Sequence, residues 1–239
     1  MIYAAVLAGG AGKRMQKTTA DMPKQFLPLG ETCILAHTVS HFLMNPNIDK
    51  IFVVVPDGWL TYTEEIFHKR VDISRLNIIK GGSDRNLSLM AAINKINEIY
   101  GIHENDIILT HDAVRPFINQ RILDENIEAC KEFGAAATVY TLTDTPVISE
   151  NGDTILEIPP RAQYYSAQTP QTFKISQLKE IFESLSEAEK STLTDAAKMY
   201  LLKKRTVKII MGESYNIKIT TPFDYIAAQA YINTPRQPY

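Results

Sequence analysis

The chain has 239 residues, 45% of them hydrophobic and 22% charged, an ordinary globular balance with enough chain for a sizeable core and no need of disulfides or structural metal. Its formal net charge of -2 provides no global basic field for nucleic acid or an anionic membrane. An anionic ligand must therefore be held by a local cluster of cations.

In chain order, the start MIYAAVLAGG is apolar but lacks a basic n-region and is too short to span a bilayer, so the expected location is cytoplasmic. Ile2 to Leu7, Ile51 to Val55 and Ile107 to Thr110 are apolar on both faces and bounded by turn signals, as buried parallel strands are. Helical spacing lies between them at Leu35 to Leu43 and at Asn86 to Ile99, the latter through Leu89, Ile93 and Ile96. Alternating strand and helix predict an α/β fold with a doubly wound sheet. From Val139 to Gln168 the pattern changes to short strands around turns, with a hairpin tip at Ser149-Glu-Asn-Gly152, and Thr143 to Tyr164 reads as an arm leaving the main sheet. Helices are expected again at Lys174 to Leu185 and Thr194 to Leu202, then a strand at Val207 to Ile210 and a last helix at Pro222 to Ile232. With no repeat or linker, residues 1–239 read as a single domain. Cys33 and Cys130 stand in neither CxxC nor metal-ligand spacing and read as buried thiols.

Chemistry concentrates after the strands. The first ends in Leu7-Ala-Gly-Gly-Ala-Gly-Lys-Arg-Met15, followed by Pro23-Lys-Gln-Phe26. Its glycines let the backbone approach a ligand and present N–H groups to phosphate or base, while Lys13, Arg14 and Lys24 supply charge. Neither the Walker pattern nor GxGxxG is met: Lys13 is followed by Arg14 instead of a hydroxyl residue, and Met15 stands where a third glycine belongs. Hydride transfer is thereby disfavoured. After the third strand, His111-Asp-Ala-Val-Arg-Pro-Phe117 offers Asp112 as a ligand for Mg²⁺ and Arg115 as a bidentate phosphate holder; the plainer alternative is an Asp–Arg pair closing a loop. His111 reads as packing or orienting. Gly81-Gly-Ser-Asp-Arg-Asn-Leu-Ser88 opens a helix after another strand; its amides, Asp84 and Ser88 can read a base edge, or it is an ordinary capped helix start. Arg161, the Gln168-Thr-Pro-Gln171 turn, Thr194-Asp195 and Asn216-Ile-Lys218 add polar and cationic groups suited to an anionic substrate.

Taken in order, LAGGxGxRM, PKQF, GGxxR, HDAxRP, QTPQ, LTD and NIKITTP resemble the small cytidylyltransferases that make CDP-linked polyols, among them the 2-C-methyl-D-erythritol 4-phosphate and D-ribitol 5-phosphate enzymes. The resemblance runs from residue 2 to about residue 230. It implies a Rossmann-like, mostly parallel sheet with a protruding β-arm, the substrates CTP and a polyol phosphate, Mg²⁺ on Asp112, and a homodimer joined by the arm. It also implies Arg14, Lys24 and Lys218 as the catalytic cations and Ala8, Gly9, Gly10, Gly12, Lys13, Gly82, Asp84, Arg85 and Ser88 as the CTP-binding set. Asp112, Arg115, Thr145, Arg161, Gln168, Thr169 and Thr194 would surround the acceptor, with Thr145 and Arg161 donated across the dimer.

Val114 and Phe117 in HDAVRPF, Asn86 after Arg85, Gln168 before Thr169 and Ala8-Gly-Gly10 resemble the ribitol branch, which implies CDP-ribitol as product and a ribulose-5-phosphate reductase as pathway partner. The rival acceptor is 2-C-methyl-D-erythritol 4-phosphate. Hexose-phosphate uridylyl- and thymidylyltransferases share the Gly-rich loop but fit HDAxRP and NIKITTP poorly. A CTP-sensing module without turnover has no need of Arg14, Lys24, Asp112 and Lys218 together.

Overall fold

In the computed structural model, which describes residues 1–9, 22–68 and 73–234, the expected strands and helices form a seven-stranded sheet covered on both faces. The elements are β1 (Ile2–Leu7), a 3₁₀ turn (Lys24–Phe26), the small hairpin β2 (Pro28–Leu29) and β3 (Thr32–Cys33), α1 (Ile34–Met44), β4 (Lys50–Val55), α2 (Leu60–His68), β5 (Leu76–Lys80), α3 (Arg85–Tyr100) and β6 (Ile107–Asp112). They continue with α4 (Gln120–Phe133), β7 (Ala135–Thr141), β8 (Tyr165–Lys174), α5 (Ile175–Ser184), α6 (Glu187–Ser191), α7 (Ala197–Leu202), β9 (Lys208–Met211) and α8 (Pro222–Asn233).

The sheet order is β5-β4-β1-β6-β8-β7-β9. β5, β4, β1 and β6 run parallel, β8 is antiparallel to both β6 and β7, and β9 is parallel to β7. Side chains alternate along each strand, so one strand feeds two cores. Ala4 and Val6 join Ile51, Val53 and Leu109 under α1 and α4, where Val39, Phe42, Leu123 and Ile127 cover them. Tyr3, Ala5 and Leu7 join Phe52, Val54 and Ile108 on the other face, under Leu89 and Ile93 of α3, Leu178 of α5 and Met199 of α7. Each such aliphatic or aromatic side chain stabilises by roughly 1.5–3 kcal/mol when removed from water, which explains the unbroken apolar runs of β1 and β4 and the apolar start of β6.

The structure departs from the sequence reading in several places. α2 and α4 were not anticipated. α4 alternates Ile122, Leu123, Ile127 and Cys130 with charged residues, the amphipathic stripe of a surface helix, and it is capped by Asn119, whose side chain accepts from Ile122 N. Thr194 and Asp195 precede α7 instead of lying within it: Asp195 accepts from Lys198 N and so closes the turn before the helix. Gln168-Thr-Pro-Gln171 is part of β8, not a turn. There the β7–β8 register slips between Ala137 and Val139, opposite a cis Thr169–Pro170 peptide, and a bulge of this kind re-aims side chains out of the ladder. The arm between β7 and β8 carries a bridge, Ile148 to Glu157, a hydrogen bond from Arg161 to Thr143 O, and a turn in which Asn151 Oδ1 accepts from the N–H groups of Asp153 and Thr154.

Candidate functional site

From β1 the chain crosses to β4 and β5 on one side, then α3 returns it to β6 on the other. The strand order therefore reverses between β1 and β6, and the crevice beyond their carboxyl ends is where open α/β sheets bind ligands. Three sequence-distant loops meet there. Ala8 N donates to Val54 O at 2.7 Å, and the buried Gln25 reaches back from Pro23-Lys-Gln-Phe26 to donate to Ala8 O, also at 2.7 Å. Gly9 lies so close to α3 that a Cβ on it would stand 3.2 Å from Ser88 Oγ. Gly82 N donates to that same Oγ, and a Cβ on Gly82 would fall 2.5 Å from Leu87 Cβ, so only glycine fits the turn. Asp84 is the N-cap of α3, accepting from Leu87 N at 2.8 Å. The capped helix start is thus real, and it aims the amino end of α3 at the crevice.

The charged centre is Asp112, the last residue of β6. Lys218 Nζ lies 2.7 Å from its Oδ2, Arg85 Nε 3.2 Å from its Oδ1, and Arg115 Nε 3.9 Å from Oδ2. Burial by itself raises the carboxyl's pKa, but the pull of Arg85, then Lys218 with its hydrogen bond, then Arg115 outweighs it and holds the group well below the usual carboxylate range. Three cations around one anion leave an excess of positive charge. Both terminal nitrogens of Arg85 are buried without a hydrogen-bond partner among the described residues, a cost that an anion's oxygens would relieve. Lys24 is drawn to the same place, its Nζ donating to Ile219 O at 2.9 Å, while Ile219 N donates to Val114 O. The two lysines therefore share one backbone support, the segment 216–219.

Beneath these cations the polar groups are committed to one another. Arg115 donates to Asn216 O at 2.7 Å and to Ala167 O, so its guanidinium clamps backbone instead of standing open as a phosphate fork. The Gln168 amide is also spent at both ends: Nε2 donates to Glu213 O, and Oε1 accepts from Asn216 Nδ2. A Cβ on Gly212 would overlap Gln168 Oε1, so a side chain there would push the amide out of these bonds. Thr169 Oγ1 accepts from Asp112 N at 3.1 Å and lies 3.0 Å from Nδ1 of the fully buried His111. Desolvation pushes the His111 pKa down to about 3, against the hydrogen bond to Arg115 O, so the ring is neutral and orients its neighbours, as the sequence suggested.

The structure thus gathers Ala8, Gly9, Lys24, Gly82, Asp84, Arg85, Ser88, Asp112, Arg115, Thr169 and Lys218 around one crevice. Gln168 and Arg115 lie beneath the crevice, bonded to Glu213, Asn216 and Ala167. Gly10, Gly12, Lys13 and Arg14 lie outside the described residues. Thr145 and Arg161 are on the exposed arm, where Arg161 donates to Thr143 O at 2.8 Å; Thr194 is exposed before α7, and no described hydrogen bond or ion pair joins any of the three to Asp112. Gln25 was overlooked as the tie between two loops, although its place in PKQF marked it.

A divalent cation at Asp112 would share the carboxylate with Lys218 and two guanidinium groups, and with one protein carboxylate it would draw its remaining ligands from substrate phosphates and water. Cys130, its thiol pKa pushed up to about 12 by burial, and the half-buried Cys33 form no disulfide and lie outside this cluster. No described helix is long and apolar enough to cross a membrane.

Comparison with known proteins agrees with this geometry. A family model described as 2-C-methyl-D-erythritol 4-phosphate cytidylyltransferase matches residues 2–234. Among solved structures, 4-diphosphocytidyl-2C-methyl-D-erythritol synthase from Anaerococcus prevotii is 27% identical, with a TM-score of 0.82 over 98% of this chain and 96% of that one. The 2-C-methyl-D-erythritol 4-phosphate cytidylyltransferase of Francisella tularensis is 25% identical, with a TM-score of 0.77 over 96% and 98%. The enzyme of that name from Thermus thermophilus, 24% identical with a TM-score of 0.73 over 98% and 100%, shares the fold.

Proposed function

Because the chain belongs to the 2-C-methyl-D-erythritol 4-phosphate cytidylyltransferase family, a family of cytidylyltransferases, we propose that it moves the cytidylyl group of CTP onto 2-C-methyl-D-erythritol 4-phosphate. The observation that carries the reading is the excess of cations at the switch point: Lys218, Arg85 and Arg115 around Asp112, with Lys24 anchored beside them. A triphosphate and a phosphate monoester need that charge side by side.

An oxygen of the acceptor's phosphate attacks the α-phosphorus of CTP. A phosphorus–oxygen bond forms there as the bond to the β-phosphate's bridging oxygen breaks, and pyrophosphate leaves. A phosphate monoester is already ionised near neutral pH, so no general base is required. Catalysis is positioning and charge neutralisation. Lys24 and Lys218 face the reacting phosphates, and the motif resemblance adds Arg14 as a third catalytic cation. In the free protein Asp112 holds Lys218 in place, and the incoming phosphate competes for the same ammonium. No step is assigned to a metal held by the chain.

Ribitol 5-phosphate is the second reading, favoured by the motif HDAVRPF and its companions. Its physical support is thinner than the motifs suggest. Val114 and Phe117 pack with Leu29, Ile34, Ile219 and Ala228 under α8, and Gln168 is bonded internally, so these side chains do not decide which polyol fits. A ribulose-5-phosphate reductase as pathway partner goes with this second reading only. The arm exposes Ile155, Leu156 and Ile158 by more than 60% each, which supports a homodimer in which Thr145 and Arg161 reach the other protomer's acceptor site.

The deciding experiment is pyrophosphate release with CTP and Mg²⁺, comparing the two acceptors at matched concentration. Preference for 2-C-methyl-D-erythritol 4-phosphate is expected. Preference for ribitol 5-phosphate overturns the acceptor and keeps the mechanism, and release with neither overturns the reading.

A further inference from the structure

His111 is fully buried in the middle of the site, and the reaction as written gives it nothing to do. Its two ring nitrogens have unequal partners. Nε2 lies 3.1 Å from Arg115 O, and a carbonyl oxygen can only accept, so the proton sits on Nε2. The ring is buried and neutral, with Phe42 against it at a centroid distance of 5.2 Å; the charged or titratable groups near it are Asp112, Arg115 and His41. Nδ1 is then bare and accepts, and its neighbour at 3.0 Å is the hydroxyl of Thr169, which must donate to it. The same hydroxyl oxygen already accepts from Asp112 N at 3.1 Å. The bonds thus run in one direction, from Asp112 N–H to Thr169 O–H to His111 Nδ1, and from His111 Nε2–H to Arg115 O.

A hydroxyl has one proton and two lone pairs. His111 takes the proton and Asp112 N–H takes one pair. From this we infer that His111 is a positioning residue which locks the Thr169 hydroxyl as an acceptor, so that Thr169 can contact a hydroxyl of the acceptor substrate but not its phosphate. This rests on the cytidylyltransferase reading and deepens it. An ionised phosphate oxygen has no proton to offer the remaining lone pair, so Thr169 repels the phosphate end and receives the polyol end. The cations Lys218, Arg85 and Lys24 then take the phosphate. One neutral histidine would thereby fix which way round the acceptor lies.

Two measurements test it. Long-range ¹H–¹⁵N correlation on the ¹⁵N-histidine-labelled full chain at neutral pH should show His111 with a protonated Nε2 and an unprotonated Nδ1. A protonated Nδ1 overturns the proposal, whatever the enzyme turns over. The second is steady-state pyrophosphate release. His111→Leu should raise KM for the polyol phosphate about tenfold, the worth of one neutral hydrogen bond, and leave KM for CTP within about twofold. His111→Gln, whose amide can donate to Arg115 O and accept from Thr169, should bring KM for the acceptor back to within about threefold of wild type. Thr169→Val should match His111→Leu, and the double variant should be no worse than either single one. Equal shifts in both KM values, or failure of glutamine to rescue, would mark His111 as structural only. If wild type releases no pyrophosphate, the enzymatic reading fails, and the labelled spectrum still decides the direction of the chain.

Discussion

The crevice at the end of β6 and the arm between β7 and β8 are built on opposite principles. In the crevice Asp112, His111, Thr169, Arg115 and Asn216 are all at most 9% exposed and bonded to one another. In the arm Ile155, Leu156 and Ile158 are 62%, 65% and 61% exposed, although one bridge and the Arg161–Thr143 hydrogen bond join the two limbs. A polar cluster can be completed within a chain because its bonds are directional and few. An apolar ribbon cannot, because burying it needs a second surface. On the proposed reading, the crevice is what this chain completes alone and the arm is where a second copy would be needed.

The largest effect is expected where the arm is made polar. Ile155→Asp with Leu156→Asp removes two apolar side chains per protomer, four in a dimer, at roughly 1.5–3 kcal/mol each, or about 6 kcal/mol or more of association free energy. Sedimentation equilibrium should show wild-type dimer and variant monomer, with an unchanged melting of the core. Activity should fall with the dimer, since Thr145 and Arg161 would no longer reach across. A wild-type chain that sediments as a monomer at micromolar concentration would remove the arm's assigned role.

Next is the crevice itself. Lys24→Ala should lower kcat by about 10²–10³, or about 3–4 kcal/mol of barrier, as removal of one preorganised donor does. Its KM values and its far-UV spectrum should stay close to wild type. A near-normal kcat would show that the Ile219 tether of Lys24 is structural and that the charge needed in the transition state comes from elsewhere.

How much of this could be read in the sequence follows the same division. The strands β1, β4 and β6 were legible to within a residue or two because burial on both faces forces an unbroken apolar run, and little else in a chain looks like Ile2 to Leu7. Asp112 read either as a metal ligand or as half of a loop-closing Asp–Arg pair, and Lys218 stood out only through the resemblance carried by NIKITTP. The internal bonding of Arg115 and Gln168 was not legible. Nothing local to HDAVRPF or QTPQ says that Asn216 and Glu213, more than forty residues further on, supply their partners. The bulge in β8 was hidden for a related reason: Thr-Pro read as a turn, and only the slipped pairing with β7 keeps it in the sheet.

A smaller effect separates His111 from the carboxylates around it. Its folded pKa is near 3, against about 6.5 for the unfolded chain. Between those values the unfolded chain binds a proton that the folded chain does not, so stability falls as pH drops through this window. The loss is about 1.4 kcal/mol per pH unit, or about 2 kcal/mol at pH 5 relative to neutral pH. The depressed pKa of Asp112 acts in the same direction but only below about pH 4, where the unfolded carboxyl begins to protonate. Urea unfolding at pH 7 and pH 5 should therefore show a pH dependence that His111→Gln reduces by about 2 kcal/mol. An unchanged pH dependence would mean that the buried ring takes up its proton without leaving its partners.

The smallest effect concerns Asp84, for which the sequence left two readings open. As the N-cap of α3 it accepts from Leu87 N, and replacing such a cap with alanine costs about 1 kcal/mol. Its position at the mouth of the crevice also suits contact with the ribose or base of CTP. Asparagine caps a helix nearly as well as aspartate, but it carries no charge and one acceptor oxygen fewer. Asp84→Ala should therefore lose both stability and CTP affinity, whereas Asp84→Asn should recover the melting temperature and leave KM for CTP raised. If KM follows stability in both variants, Asp84 only holds the helix, and the nucleotide is read by the amides of Gly82 and its neighbours.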